Sequence, residues 1–226
     1  MRRIAGVVLR PRATLTAVRN TPAWLATWSV ILIVWALCGG LLLSTEIGQQ
    51  ALVDEQVRVV ESFGGTVTDA EYAALQAQPP WWVYFTSGSR LLLLPLTTVL
   101  VAGAVFAVGR SDGAPVTWPQ ALALVVHASV VLALGQVIAT PMHYIRESLT
   151  SPLNLAAVLP LVESGTVAAR FFGSLDLFVV WWAGLLALSV SMLTGRRLWR
   201  YAAPAAGLYL AFAAVAAAVI AVTGGA

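Results

Sequence analysis

Residues 23–43 read AWLATWSVILIVWALCGGLLL, 21 positions without a charged side chain. At about 1.5 Å of rise per residue this run covers the roughly 30 Å hydrocarbon core of a bilayer, which predicts a spanning helix. A cleaved secretory signal fits poorly. Its apolar region runs to roughly 7–15 residues and ends at an A-x-A-like site, and neither condition holds here. The basic lead, with Arg2, Arg3, Arg10, Arg12 and Arg19, is also too long. Leu37 stands before Cys38 where a lipoprotein anchor needs a small residue, and a single cysteine forms no intrachain disulfide.

Four further apolar runs follow, at about 90–109, 119–143, 175–194 and 203–223. Of the residues, 59% are hydrophobic and 10% charged, which excludes a disordered chain and an ordinary soluble domain. The expected fold is all-α: a polytopic bundle of five transmembrane helices over residues 23–223, preceded by a basic segment at 1–22. All 13 basic residues are arginine, a signature of a GC-rich bacterial genome before it is one of function.

The segments between the spans have their own patterns. Residues 2–20 place Ile4, Val7, Val8, Leu9, Leu15 and Val18 among five arginines, with Pro11 suited to a helix start or kink. That describes either a basic amphipathic segment at the inner headgroup layer or a plain topogenic flank. Residues 44–80 hold six acids against Arg58 alone, a net charge of −5. Their apolar residues recur at helical spacing, and Thr68 with Glu71 forms a capping-box pattern before Pro79 and Pro80. A helical hairpin resting on the membrane is expected there. The aromatic cluster Trp81, Trp82, Tyr84 and Phe85 suits a headgroup belt ahead of the second span, and residues 144–173 suit short interfacial helices.

Arginine asymmetry gives a direction. With the N-terminus inside, the inner segments hold nine arginines and the outer ones only Arg58, Arg146 and Arg170, with Arg90 at a boundary. The positive-inside rule then gives N-in and C-out.

The stretches RESLTSPLNLAAVLP and SLDLFVVWW, between Arg146 and Trp182, resemble the corresponding segment of bacterial Yip-family membrane proteins. The residues that carry the likeness are Pro152, Asn154, Leu155, Pro160, Asp176, Leu177, Phe178 and Trp181. The resemblance implies five spans with a cytosolic N-terminus. The family is named for eukaryotic members that bind Rab-type GTPases, while its bacterial relatives carry no settled biochemical role, so no GTPase partner is transferred.

Charges near a span draw attention because one at the bilayer centre costs at least roughly 2.5–3.5 kcal/mol. Arg90 and Asp176 begin spans two and four from the same face and form a candidate intramembrane pair. The alternatives are that Arg90 snorkels to the headgroups and that Asp176 caps a helix after Ser174. His127 and His143 lie about 24 Å apart on one helix, too far to share a metal ion, and suit hydrogen bonding instead. Ser87, Gly88 and Ser89 resemble a protease turn without a matching histidine and carboxylate. Ala183, Ala187, Ser191 and Gly195 on span four, and Ala203, Gly207 and Ala211 on span five, recur every four residues and permit close helix approach.

These features together lead to the expectation of a multi-pass protein of the bacterial cytoplasmic membrane that acts as a non-enzymatic adaptor or organiser. Its expected partners are the lipid bilayer and either another protein or a second copy, with no nucleic acid, cofactor or metal. A small transporter or channel subunit is the alternative; it would need polar groups converging near mid-membrane, where little stands beyond Thr97, Thr98, Gln136 and Ser189.

Overall fold

The structure, a computed structural model, describes residues 2–158 and 166–223, with all their side chains except those of Arg2, Pro80, Trp82, Val83, Thr86, Ser87 and Arg90. Five helical segments, the third of them made of two consecutive helices, are long and apolar enough to cross a membrane. Their outward faces are apolar too: Leu41 is 67% exposed, Leu100 63%, Phe212 68%. Contiguous apolar surface on this scale requires a nonaqueous solvent, as a multi-pass membrane protein has in the bilayer.

The chain opens with α1 (Arg2–Leu9) and α2 (Pro11–Asn20). Pro11 occupies the first turn of α2, where its missing N–H costs nothing and its fixed φ suits a helix start. The first span is α3 (Leu25–Leu43), followed by α4 (Glu46–Ser62) and α5 (Asp69–Gln76). The second span belongs to α6 (Pro80–Ser111), which begins ten residues earlier than the expected span. The aromatic cluster at 81–85 therefore lies inside the helix, because Pro80 opens it rather than merely closing the preceding loop.

The third span is not one uninterrupted helix. It divides into α7 (Trp118–Ala128) and α8 (Val130–Arg146) at Ser129, whose hydroxyl bonds the Val125 carbonyl at 2.9 Å. Such a bond back along the chain competes with the helical ladder and bends it. This span is also the most enclosed, 67% of its most apolar window being buried against 11–28% in the other four. The segment after it carries α9 (Leu155–Val158) and α10 (Val167–Gly173), short helices as expected. The last spans are α11 (Leu177–Thr194) and α12 (Trp199–Thr223).

Two compact units emerge from the contacts. The first comprises 1–35, 90–135 and 178–208. Its core forms around α7, where Ala123 to Val126 and Ala128 are fully buried together with Val7, Leu15 and Val18 of α1 and α2. The apolar stripe of the N-terminal segment thus covers protein rather than headgroups, although Leu9, 77% exposed, still faces outward. Gly6 permits the α1–α2 turn-back, since a Cβ there would collide with the Thr14 hydroxyl.

The second unit comprises 36–89, 136–177 and 209–226. In it the acidic loop folds as the expected helical hairpin. Thr45 caps α4 by accepting the Gly48 N–H at 3.0 Å, and Thr68 with Glu71 forms a complete capping box at α5. The Gln50 amide donates to Asp54 at 2.9 Å and to Tyr72 at 2.6 Å, Tyr72 donates to Asp54 at 2.8 Å, and Gln76 donates to Gln50 at 3.0 Å. These bonds fasten α5 to α4.

Candidate functional site

In the second unit the two stretches that carry the family likeness meet. Leu155 N–H donates to Leu175 C=O at 2.8 Å and Leu177 N–H to Leu153 C=O at 3.1 Å, an antiparallel bridge between Asn154 and Asp176. Asn154 is buried, 5% exposed; its amide donates to Ser151 C=O at 2.7 Å and its oxygen accepts Ala157 N–H at 2.8 Å, capping α9. Ser151 donates to the Asp176 carboxylate at 2.8 Å. From α12, Tyr209 closes the knot: its hydroxyl accepts Asp176 N–H at 2.9 Å and donates to Ser174 C=O at 2.9 Å.

The knot has a physical reason. Short extended segments leave backbone groups unpaired, and close to hydrocarbon each such group costs several kcal/mol by order of magnitude unless it finds a partner. Pairing 153–155 with 175–177 satisfies four of them, and Tyr209 satisfies two more. Pro152, buried beside them, has no N–H to satisfy.

Of the expected site residues, Asn154, Leu155, Asp176 and Leu177 come together here. Pro160 and the Arg90 side chain lie outside the described residues, so the Arg90–Asp176 pairing does too. Phe178 and Trp181 belong to the first unit, their rings 6.0 Å apart and tilted by 42°. Sequence reasoning missed Ser151 and Tyr209. The available signal was a tyrosine hydroxyl within an apolar span, which must find a partner.

The first unit holds two polar groupings. His127 is fully buried; its Nδ1 lies 2.8 Å from Ala123 C=O and its Nε2 3.1 Å from the Thr27 hydroxyl on α3. With Nδ1–H donating to the carbonyl, Nε2 accepts from Thr27, so a neutral ring joins two spans. Ser129 is likewise tied across helices, accepting from Trp182 Nε1 at 3.2 Å. At the end of α6, Asp112 accepts from Tyr201 and, at 2.9 Å, from Arg200. The Tyr201 hydrogen bond, with the neighbouring Arg200, holds the Asp112 carboxyl below the usual carboxylate range.

In the hairpin of the second unit, the Glu71 carboxyl is lowered by hydrogen bonds from the backbone and hydroxyl of Thr68, and the Tyr72 phenol is raised by its bond to Asp54. Near the end of α8, His143 Nδ1 lies 2.8 Å from Ser148 C=O, in the turn that follows the helix. Among the described residues no group of three or more His, Cys, Asp or Glu could hold a metal ion.

The small-residue series separate. Ala187 and Ser191 are buried, 3% and 8% exposed, and Ala183 is half-buried. Gly195 stands just past α11 with φ +69°, where it ends the helix. Gly207 is exposed with open space around it. On α8, by contrast, Gly135 permits a close approach, since a Cβ there would meet the Phe178 ring at 2.9 Å.

No protein-family model matches the chain, and neither a curated protein nor a solved structure does.

Proposed function

We propose that the chain is a bacterial Yip-family protein of the cytoplasmic membrane, with its N-terminus inside and its C-terminus outside, that acts as a non-enzymatic adaptor or organiser. The observation that supports this reading is the α4–α5 hairpin. Four side chains, Gln50, Asp54, Tyr72 and Gln76, hold it in shape, while Glu46, Glu61 and Asp69 remain exposed. A fixed acidic surface costs little ordering entropy on binding and steers a basic partner by charge. In the first unit the exposed charges are of the opposite sign: Arg10, Arg12, Arg110, Arg196 and Arg197. The family part of this reading rests on the resemblance of the stretches RESLTSPLNLAAVLP and SLDLFVVWW, between Arg146 and Trp182, to bacterial Yip proteins.

The test is crosslinking in native membranes from a photoreactive residue at Glu61. A discrete adduct that disappears when Glu46 and Asp69 are neutralised supports the adaptor. No adduct, together with solute flux through purified protein in liposomes, favours a transporter or channel subunit. Impermeant maleimide on Arg12→Cys and Glu61→Cys variants, in a Cys38→Ala background, reads the orientation: only Glu61→Cys should label from outside.

A further inference from the structure

In the first unit a partly open cavity of about 80 Å³ lies between α3, α6, α7, α8 and α11. Three tryptophans, Trp28, Trp35 and Trp182, form much of its wall. On α6 it follows one stripe, Leu94, Thr97, Thr98 and Val101, at the spacing of a single helix face. This stripe begins beside Pro95, an internal helix proline that has no N–H to give the helical ladder.

The hydroxyl donors on the wall are already used within the protein. Thr98 donates to Leu94 C=O at 2.7 Å and Thr97 to Leu93 C=O at 3.0 Å; Ser129 donates to Val125 C=O and accepts from Trp182. Water in such a space needs two to four polar partners, and a lining dominated by apolar side chains offers few. An occupant that asks for no hydrogen bonds, and gains only dispersion contact, is what the wall accepts.

Thr97 is the exposed member of the lining, which places the mouth on the outer side of α6. Its neighbours there are Leu93, Leu96 and Leu100, 55%, 54% and 63% exposed, within a helix apolar enough to span the bilayer. The mouth is therefore continuous with the lipid-facing surface. We propose that this cavity is a binding site for the terminal part of an acyl chain of a bilayer phospholipid, which enters past Thr97 and lies against Trp28, Trp35 and Trp182. The site stands whether or not the chain is an adaptor.

The full-length protein is reconstituted in phosphatidylcholine vesicles in which a fraction of the lipid carries a diazirine on one acyl chain. After illumination, adducts are mapped by mass spectrometry. Ile31 and Thr98 line the cavity yet are only 2% and 8% exposed, so a chain outside the protein does not reach them. Adducts on these two residues, beside those on Leu92 and Leu96, are the expected result. Filling the cavity by Val101→Phe, or independently by Leu132→Phe, should abolish the inner adducts and keep the outer ones, which also report that the variant is folded. Adducts confined to Leu92, Leu96 and other outward residues, or inner adducts that survive both filling variants, would overturn the site.

Discussion

Tyr209 holds Asp176 by its backbone: the phenol oxygen accepts the Asp176 N–H at 2.9 Å while the hydroxyl donates to Ser174 C=O at the same distance. The carboxylate is engaged separately, by Ser151. Asp176 therefore has two roles in the knot that substitutions can separate.

Tyr209→Phe removes the clamp and leaves a donor and an acceptor unpaired, which should destabilise the protein by about 1–3 kcal/mol. In hydrogen–deuterium exchange, Leu155 and Leu177 amides should lose protection with it. Asp176→Asn keeps the backbone pairing, so the same amides should stay protected. Equal loss in both variants would mean that the carboxylate is needed for the bridge as much as the tyrosine.

The Thr27–His127 pair predicts measurable coupling between α3 and α7. Interhelical hydrogen bonds in membranes contribute about 0.6 kcal/mol on average and at most about 1.7. A double-mutant cycle of Thr27→Val and His127→Leu, read by unfolding in mixed micelles, should give a coupling energy in that range. A value near zero would show that the 3.1 Å contact contributes only packing.

The spans and the capping box were legible because each rests on residues close in sequence. An uncharged run of 21 residues reads as a span by length alone, and Thr68 and Glu71 read as a cap by their spacing. The break at Ser129 was hidden because Val, Leu and Ala fill both sides of it with the same hydropathy. The Asn154–Asp176 pairing was hidden for a different reason. It joins backbone groups 22 residues apart, and a backbone hydrogen bond leaves no side-chain signature. The likeness to Yip proteins pointed at both stretches but not at their contact.

Asp112 makes the α6–α7 turn sensitive to acid. Its folded-state pKa lies below the ordinary carboxylate value, so its contribution to stability is fully present above that value and is lost as pH falls through the folded pKa. Tyr201→Phe removes the largest cause and should move the Asp112 titration upward, toward the ordinary carboxylate range. Carboxyl NMR with labelled aspartate follows this directly, and an unmoved midpoint would assign the shift to Arg200 instead.

The capping box is a separate local test. Thr68→Ala removes the acceptor of Glu71 N–H, 3.3 Å away, and should cost α5 about 1 kcal/mol. The Glu71 carboxyl is also held low, so the wild-type cap should weaken as pH falls below the ordinary glutamate range, and Glu71→Gln should remove that acid sensitivity. Amide exchange over α5 reads both effects without requiring global unfolding.

Gly135 and Gly207 give opposite expectations for one substitution. A methyl group at Gly135 would press on the Phe178 ring at 2.9 Å, closer than carbon atoms approach without something moving, and the enclosed third span offers little room to yield. Gly135→Ala should therefore destabilise the chain by about 1–3 kcal/mol, as overpacking does. Around Gly207 there is open space, and alanine is the better helix former by about 0.8–1.0 kcal/mol, so Gly207→Ala should be neutral or mildly stabilising for the single chain. If Gly207→Ala instead destabilises in the membrane but not in dilute micelles, then the exposed face of α12 approaches a second copy at that glycine. Sedimentation in detergent across a range of protein-to-detergent ratios would register that contact as a change in oligomeric state.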